Sequence, residues 1–122
     1  MTGRLLRILA GMICAGVLSG CGEETAILVI ADLKDFQVPQ EIDLLYLEAS
    51  DDSGVLIGRS FPLVASEPEF SIKLLPGSRM PEQFSVLLYA FLGDVCVAES
   101  VSQKVSFASD TTRKTTMVLT RL

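Results

Sequence analysis

Residues 84–105 read FSVLLYAFLGDVCVAESVSQKV, two apolar arms on either side of a turn signal. The first arm, Phe84–Leu92, is almost wholly apolar and ends at Gly93-Asp94, a dipeptide that favours a tight turn. Val95–Val105 continues after the turn. We therefore predict a β-hairpin here, because so short a turn joins antiparallel strands closely.

Five further segments have the composition of strands, since they are short, rich in β-branched residues or alternating, and separated by turn residues. These segments are Thr25–Ala31, Ile42–Ala49, Val55–Phe61, Phe70–Leu74 and Thr115–Leu122. Together with the hairpin they predict an all-β fold, a small antiparallel β-sandwich of about seven strands.

Two segments leave an α+β fold open as the alternative. Ile42–Ala49 is full of good helix formers. Pro81-Glu82-Gln83 before Phe84–Leu92, with Gly93 at the far end, resembles helix start and stop signals. We favour strands because the neighbouring segments are β.

The N-terminal segment has the organisation of a signal peptide. Met1–Arg7 contains two arginines and no acid, and Ile8–Leu18 is an uncharged, mostly apolar run. A membrane-spanning helix needs roughly 20 apolar residues, so this run is too short to be one. We predict a cleavable signal helix.

Leu18-Ser19-Gly20-Cys21 resembles the lipobox of bacterial lipoproteins, an aliphatic residue, two small residues and a cysteine. The resemblance implies that signal peptidase cuts before Cys21. It also implies that the Cys21 thiolate takes a diacylglyceryl group as a thioether and that the new amine is acylated, for instance with palmitate. We expect this covalent lipid and no other cofactor.

The resemblance also implies a domain organisation and a cellular location. Residues 1–20 are the signal peptide, 21–24 the lipidated cysteine with a short tether, and 25–122 a single sandwich domain. Gly22 stands where aspartate would retain a lipoprotein in the inner membrane. We expect a lipid-anchored cell-envelope protein, in the outer membrane and facing the periplasm or the surface.

The composition argues against several functions. The chain has no histidine, which excludes histidine-based catalytic groups and the usual zinc sites. Its net charge of −5 becomes −7 when Arg4 and Arg7 leave with the signal peptide. This balance argues against nucleic acid or an anionic membrane surface as partner. We expect that the chain is not an enzyme and that it has no metal site.

The mature region resembles, in its pattern, the immunoglobulin-like or transthyretin-like sandwiches of bacterial lipoproteins. We favour a non-enzymatic binding or structural module whose partner is an envelope protein or a glycan. The alternative is an accessory subunit of a larger envelope complex, and the least favoured reading is a small envelope hydrolase.

Ile42–Ala49 and Phe84–Leu92 have apolar residues on both faces if they are strands. The outer face of a sandwich is normally polar. A central strand buried on both sides would explain this, and so would a surface for a partner. The candidate partner surface consists of Leu44, Tyr46, Leu87, Tyr89 and Phe91.

Other candidates have simpler explanations. We expect Cys96 to be a buried small hydrophobe, since its neighbours are apolar. Arg113-Lys114 could touch lipid headgroups, but an ordinary loop is the better interpretation. Eight acids that could be calcium ligands or a catalytic carboxylate pair are expected instead to be turn or surface residues (Asp32, Asp35, Asp51, Asp52, Glu67, Glu69, Glu82 and Glu99).

Overall fold

The strands that the sequence predicts are present in a computed structural model, which describes residues 24–77 and 80–122. The predicted signal peptide, the predicted lipobox and Cys21 lie outside these residues. The described part contains strands and no helix: β1 Ala26–Asp32, β2 Leu44–Asp51, β3 Gly54–Pro62, β4 Glu69–Leu74, β5 Gln83–Leu92, β6 Val95–Glu99, β7 Gln103–Ser106, β8 Thr112–Val118 and β9 Thr120–Arg121. The all-β prediction is confirmed. The α+β alternative is wrong, because Ile42–Ala49 and Phe84–Leu92 contribute strands.

The strands form two sheets. The smaller sheet has the order β8-β1-β4, and the larger has the order β9-β6-β5-β2-β3, with β7 also paired to β5. The expectation of a wholly antiparallel sandwich is wrong at one pair, because β8 runs parallel to β1. The chain crosses from β7 in the larger sheet to β8 in the smaller one, so it enters β8 from the end where β1 also begins.

The predicted arm Val95–Val105 is interrupted, and its two pieces share one edge of β5. β6 pairs with the second half of β5 and β7 with the first half. Between them lies Ser100, which is buried. Its N–H donates to the Leu88 carbonyl at 2.9 Å, and its Oγ accepts from the Leu88 N–H at 3.0 Å. The hydroxyl thus supplies the acceptor that an uninterrupted ladder would offer.

The predicted last strand, Thr115–Leu122, also divides into two. Its first part belongs to β8 in the smaller sheet, and its second part is β9, which pairs with β6 in the larger sheet. Leu119 lies between the two strands and is 5% exposed. Burial of this leucine accompanies the passage of the chain from one sheet to the other.

The core lies between the sheets and depends on the register of β2 against β5. Three cross-strand pairs, Leu45–Ala90, Leu47–Leu88 and Ala49–Val86, are fully or almost fully buried. Opposite them the smaller sheet contributes buried side chains of β1, which are Ile27, Val29 and Ala31. The next residue along β2 or β5 faces the other way.

The loop between β1 and β2 is fastened to the end of the chain. The Arg121 guanidinium lies over the Phe36 ring at 4.3 Å from the ring centroid, donates to the Asp35 carbonyl at 2.6 Å, and contacts the Glu41 carboxylate at 3.3 Å. The Gln37 N–H and Arg121 hold the pKa of Glu41 below its usual value. These contacts order the loop against β9.

Replacing Ser100 with alanine should destabilise the fold, because the buried Leu88 N–H would lose its acceptor. We expect the free energy of unfolding to fall by about 1–3 kcal/mol in urea denaturation. The control is Ser102→Ala, since Ser102 is exposed, and it should change stability by less than about 0.5 kcal/mol. Equal losses in the two variants would contradict the role of the Ser100 hydroxyl.

Candidate functional site

The five residues of the predicted partner surface lie together on the outer face of the larger sheet. Leu44 is the cross-strand partner of Phe91, and Tyr46 is the partner of Tyr89. Leu87 lies one pair further along, opposite Glu48. All of these side chains are half-buried. We call this outer face the tyrosine face. Its role in binding stays a prediction.

The two tyrosine rings form a pair at the centre of the tyrosine face. Their centroids are 6.3 Å apart and their planes are inclined by 39°. Tyr46 extends toward β3, where a Cβ on Gly58 would overlap the Tyr46 hydroxyl group. Glycine at position 58 therefore makes room for the Tyr46 ring on the sheet.

Two carboxylates flank the ring pair. Glu99 on β6 is the cross-strand partner of Tyr89. Glu48 on β2 is paired with Leu87, so it lies diagonally across from Tyr89 on the same face. Burial raises the pKa of the Tyr89 phenol, and the negative charges of Glu48 and Glu99 raise it further. Tyr89 therefore stays protonated at neutral pH and can donate a hydrogen bond to a ligand.

The polar atoms of the tyrosine face are available to a ligand. Within the described ranges, neither tyrosine hydroxyl makes a hydrogen bond, and neither Glu48 nor Glu99 has a cation within 4.0 Å. The face thus combines aromatic rings, phenol donors and carboxylate acceptors on one side of the larger sheet. This combination can bind a molecule that has both apolar and hydroxyl-bearing faces.

Three residues of this site, Gly58, Glu48 and Glu99, are absent from the partner surface predicted from the sequence. Gly58 could have been noticed as a glycine inside a strand, which often marks a close approach of another group. Glu48 and Glu99 gave no local signal. Only the pairing of β2, β5 and β6 brings their carboxylates beside Tyr89, and sequence reasoning treated Glu99 as a surface acid.

Of the other candidates only Cys96 lies at the tyrosine face, and the structure does not gather the rest into a site among the described residues. Asp32 and Asp51 each accept a hydrogen bond from a backbone N–H two residues later, at 3.0 and 2.8 Å, as turn residues do. Cys96 is half-buried rather than buried, and it lies opposite Phe91. Among residues 24–77 and 80–122 no three potential ligands cluster as a metal site would require.

An apolar groove opens at the side of the sandwich where β3 and β4 are edge strands. Its volume is about 420 Å³. Phe61 and Phe70 meet across it with ring centroids 5.8 Å apart, and the Arg59 guanidinium is 5.9 Å from the Phe61 centroid.

In the part of the chain described by the structure, no helix is long and apolar enough to cross a bilayer.

Comparison with known proteins supports the fold. No protein-family description matches the chain. No curated protein matches it either. A similar solved structure comes from Bacteroides thetaiotaomicron and is described as that of "putative polysaccharide binding proteins (DUF1812)". The two are 12% identical with a TM-score of 0.53, over 80% of this chain.

That alignment covers 48% of the Bacteroides protein, so this chain spans about half of its length. At this level of identity the likeness shows a shared fold. It agrees with the two-sheet sandwich described above.

Titration of Tyr89 provides a test of the electrostatics of the tyrosine face. In a Tyr46→Phe variant, which leaves one tyrosine, the tyrosinate absorbance should titrate above pH 10. Glu99→Gln or Glu48→Gln should then lower this pKa, because each removes a negative charge that opposes ionisation.

The control for these variants is Glu67→Gln, which changes a carboxylate that does not act on Tyr89. A Tyr89 pKa at or below 10, or an equal shift with the Glu67 variant, would show that the described arrangement of charges is wrong.

Proposed function

We propose that the chain is a non-catalytic binding module, held to the cell envelope by lipid on Cys21, and that its tyrosine face binds a glycan. The observation that carries the proposal is the pair of tyrosine rings flanked by two carboxylates on one face of the larger sheet. The description of the Bacteroides structure supports the same class of ligand.

The chemistry of a neutral sugar matches the tyrosine face. The C–H side of a pyranose ring is apolar and packs on aromatic rings, while its hydroxyls are hydrogen-bond donors and acceptors. Glu48 and Glu99 would accept bonds from hydroxyls, and charged acceptors make stronger bonds than neutral ones. The phenol of Tyr89 would donate to a ring or hydroxyl oxygen.

The anchor would keep the module near the bilayer. At about 3.3–3.6 Å per residue, the three steps from Glu24 back to Cys21 span at most about 11 Å. Two or more acyl chains hold a protein to a membrane almost permanently. Gly22 after the cysteine supports the outer membrane as the destination, and the lack of histidine supports a function without catalysis.

An accessory subunit of an envelope complex is the second candidate. Leu44, Leu87 and Phe91 give the tyrosine face an apolar rim that a protein partner could cover. Both candidates use the same face. They differ in whether the isolated protein has affinity for glycans.

Isothermal titration of the mature chain with a panel of neutral hexasaccharides and with envelope polysaccharide tests the proposal. We expect at least one ligand to bind, and Tyr46→Ala or Tyr89→Ala to weaken its binding at least tenfold, which is about 1.4 kcal/mol. The matched control is Phe61→Ala, which removes a half-buried aromatic ring from the β3–β4 groove and should leave affinity unchanged.

Two results would count against glycan binding. The first is no binding by any member of the panel. The second is an equal effect of the Phe61 and tyrosine variants. A protein that co-purifies from envelopes with the wild type but not with Tyr89→Ala, in the absence of glycan affinity, would support the accessory subunit.

A further inference from the structure

A second cleft opens on the other side of the sandwich, where β7 and β8 are edge strands of different sheets. Its volume is about 250 Å³. Three cationic residues line it, Lys104 from β7 and Arg113 and Lys114 from β8. We call it the basic cleft. The sequence-based interpretation of Arg113-Lys114 as an ordinary loop is wrong, because both residues belong to β8.

Arg113 connects the two walls of the basic cleft. Its Nη1 donates to the Ser106 Oγ at 2.8 Å and to the Ser106 carbonyl at 3.4 Å. A guanidinium group has five N–H donors, so three remain after these two bonds. A held guanidinium with free donors suits the oxygens of a phosphate group, which it can contact in a bidentate manner.

The cations of the basic cleft form no ion pair among the described residues, although Lys104 also lines a neighbouring pocket with Asp51 and Asp52. No carboxylate of the described residues lies within 4.0 Å of the charged nitrogens of Lys104, Arg113 or Lys114. Lys34, Lys73 and Arg121 do have such partners. Three cations thus line one cleft of an acidic chain, and they come together only when β7 lies beside β8.

The basic cleft lies beside the point where the N-terminal segment joins the domain. The Thr112 Oγ1 donates to the Glu24 carbonyl at 2.9 Å, and the Thr25 Oγ1 accepts from the Asp110 N–H at 2.8 Å. Thr112 directly precedes Arg113 in β8. Cys21 precedes Glu24 by three residues, and a chain of that length spans at most about 11 Å.

We propose that the basic cleft binds the phosphate groups of anionic lipids in the bilayer that holds Cys21. We choose the phosphate of a bilayer over soluble phosphate because of the proposed lipid anchor. The existence of the cleft does not depend on that anchor. Cations near an anionic bilayer each strengthen binding roughly fivefold, and the effect falls as salt increases. Binding here would orient the domain on its short tether.

Vesicle flotation of residues 21–122 carrying Cys21→Ser, without the predicted signal peptide, measures the cleft without the anchor. We expect binding to phosphatidylcholine vesicles that contain phosphatidylglycerol, weaker binding at high salt, and little binding to phosphatidylcholine alone. Arg113→Gln/Lys114→Gln should weaken binding about 25-fold. The matched control is Lys34→Gln/Arg59→Gln, which removes the same charge from exposed residues outside the cleft and should weaken binding much less.

Equal weakening in the two double variants, or no preference for phosphatidylglycerol, would overturn the proposal. A parallel titration with inorganic phosphate identifies the source of the ligand. Phosphate binding that depends on Arg113, without binding to vesicles, would overturn the lipid assignment. Because these variants lack the lipidated cysteine, failure here is distinguishable from failure of the anchor, and Tyr89→Ala should leave vesicle binding unchanged.

Discussion

The antiparallel register of β2 against β5 is the constraint on which the rest of the structure depends. Side chains alternate between faces along each strand, so this one register sends Leu45 and Leu88 into the core and Tyr46 and Tyr89 outward. A slip by one residue would exchange the two faces of a strand. The buried core therefore fixes the positions of the tyrosines, although they contribute little to it.

The passage of the chain between the two sheets determines where the basic cleft lies. β8 completes the smaller sheet beside β1, and β9 returns to the larger sheet after the buried Leu119. This arrangement brings Arg113 against Ser106 of β7 and brings Thr112 against Glu24. Glu24 and the basic cleft are thus neighbours, while the tyrosine face lies on the outer side of the larger sheet.

Local pattern predicted the strands and the five residues of the tyrosine face, because two-residue alternation is visible within a single segment. It could not predict the break at Ser100, since the hydroxyl replaces a ladder acceptor only against Leu88. It also missed the parallel β8–β1 pair, Glu48 and the cluster around Lys104. Each of these depends on contacts between segments that are distant in sequence.

The central proposal is attachment of the domain by lipid on Cys21, which would place both surfaces at the envelope. Intact-mass and peptide mass spectrometry of the protein extracted from membranes tests it directly. We predict a chain that begins at Cys21 and carries the added mass of a diacylglyceryl group and an amide-linked acyl chain on that residue. A membrane-extracted chain with an unmodified Cys21, or one that begins elsewhere, would contradict the claim.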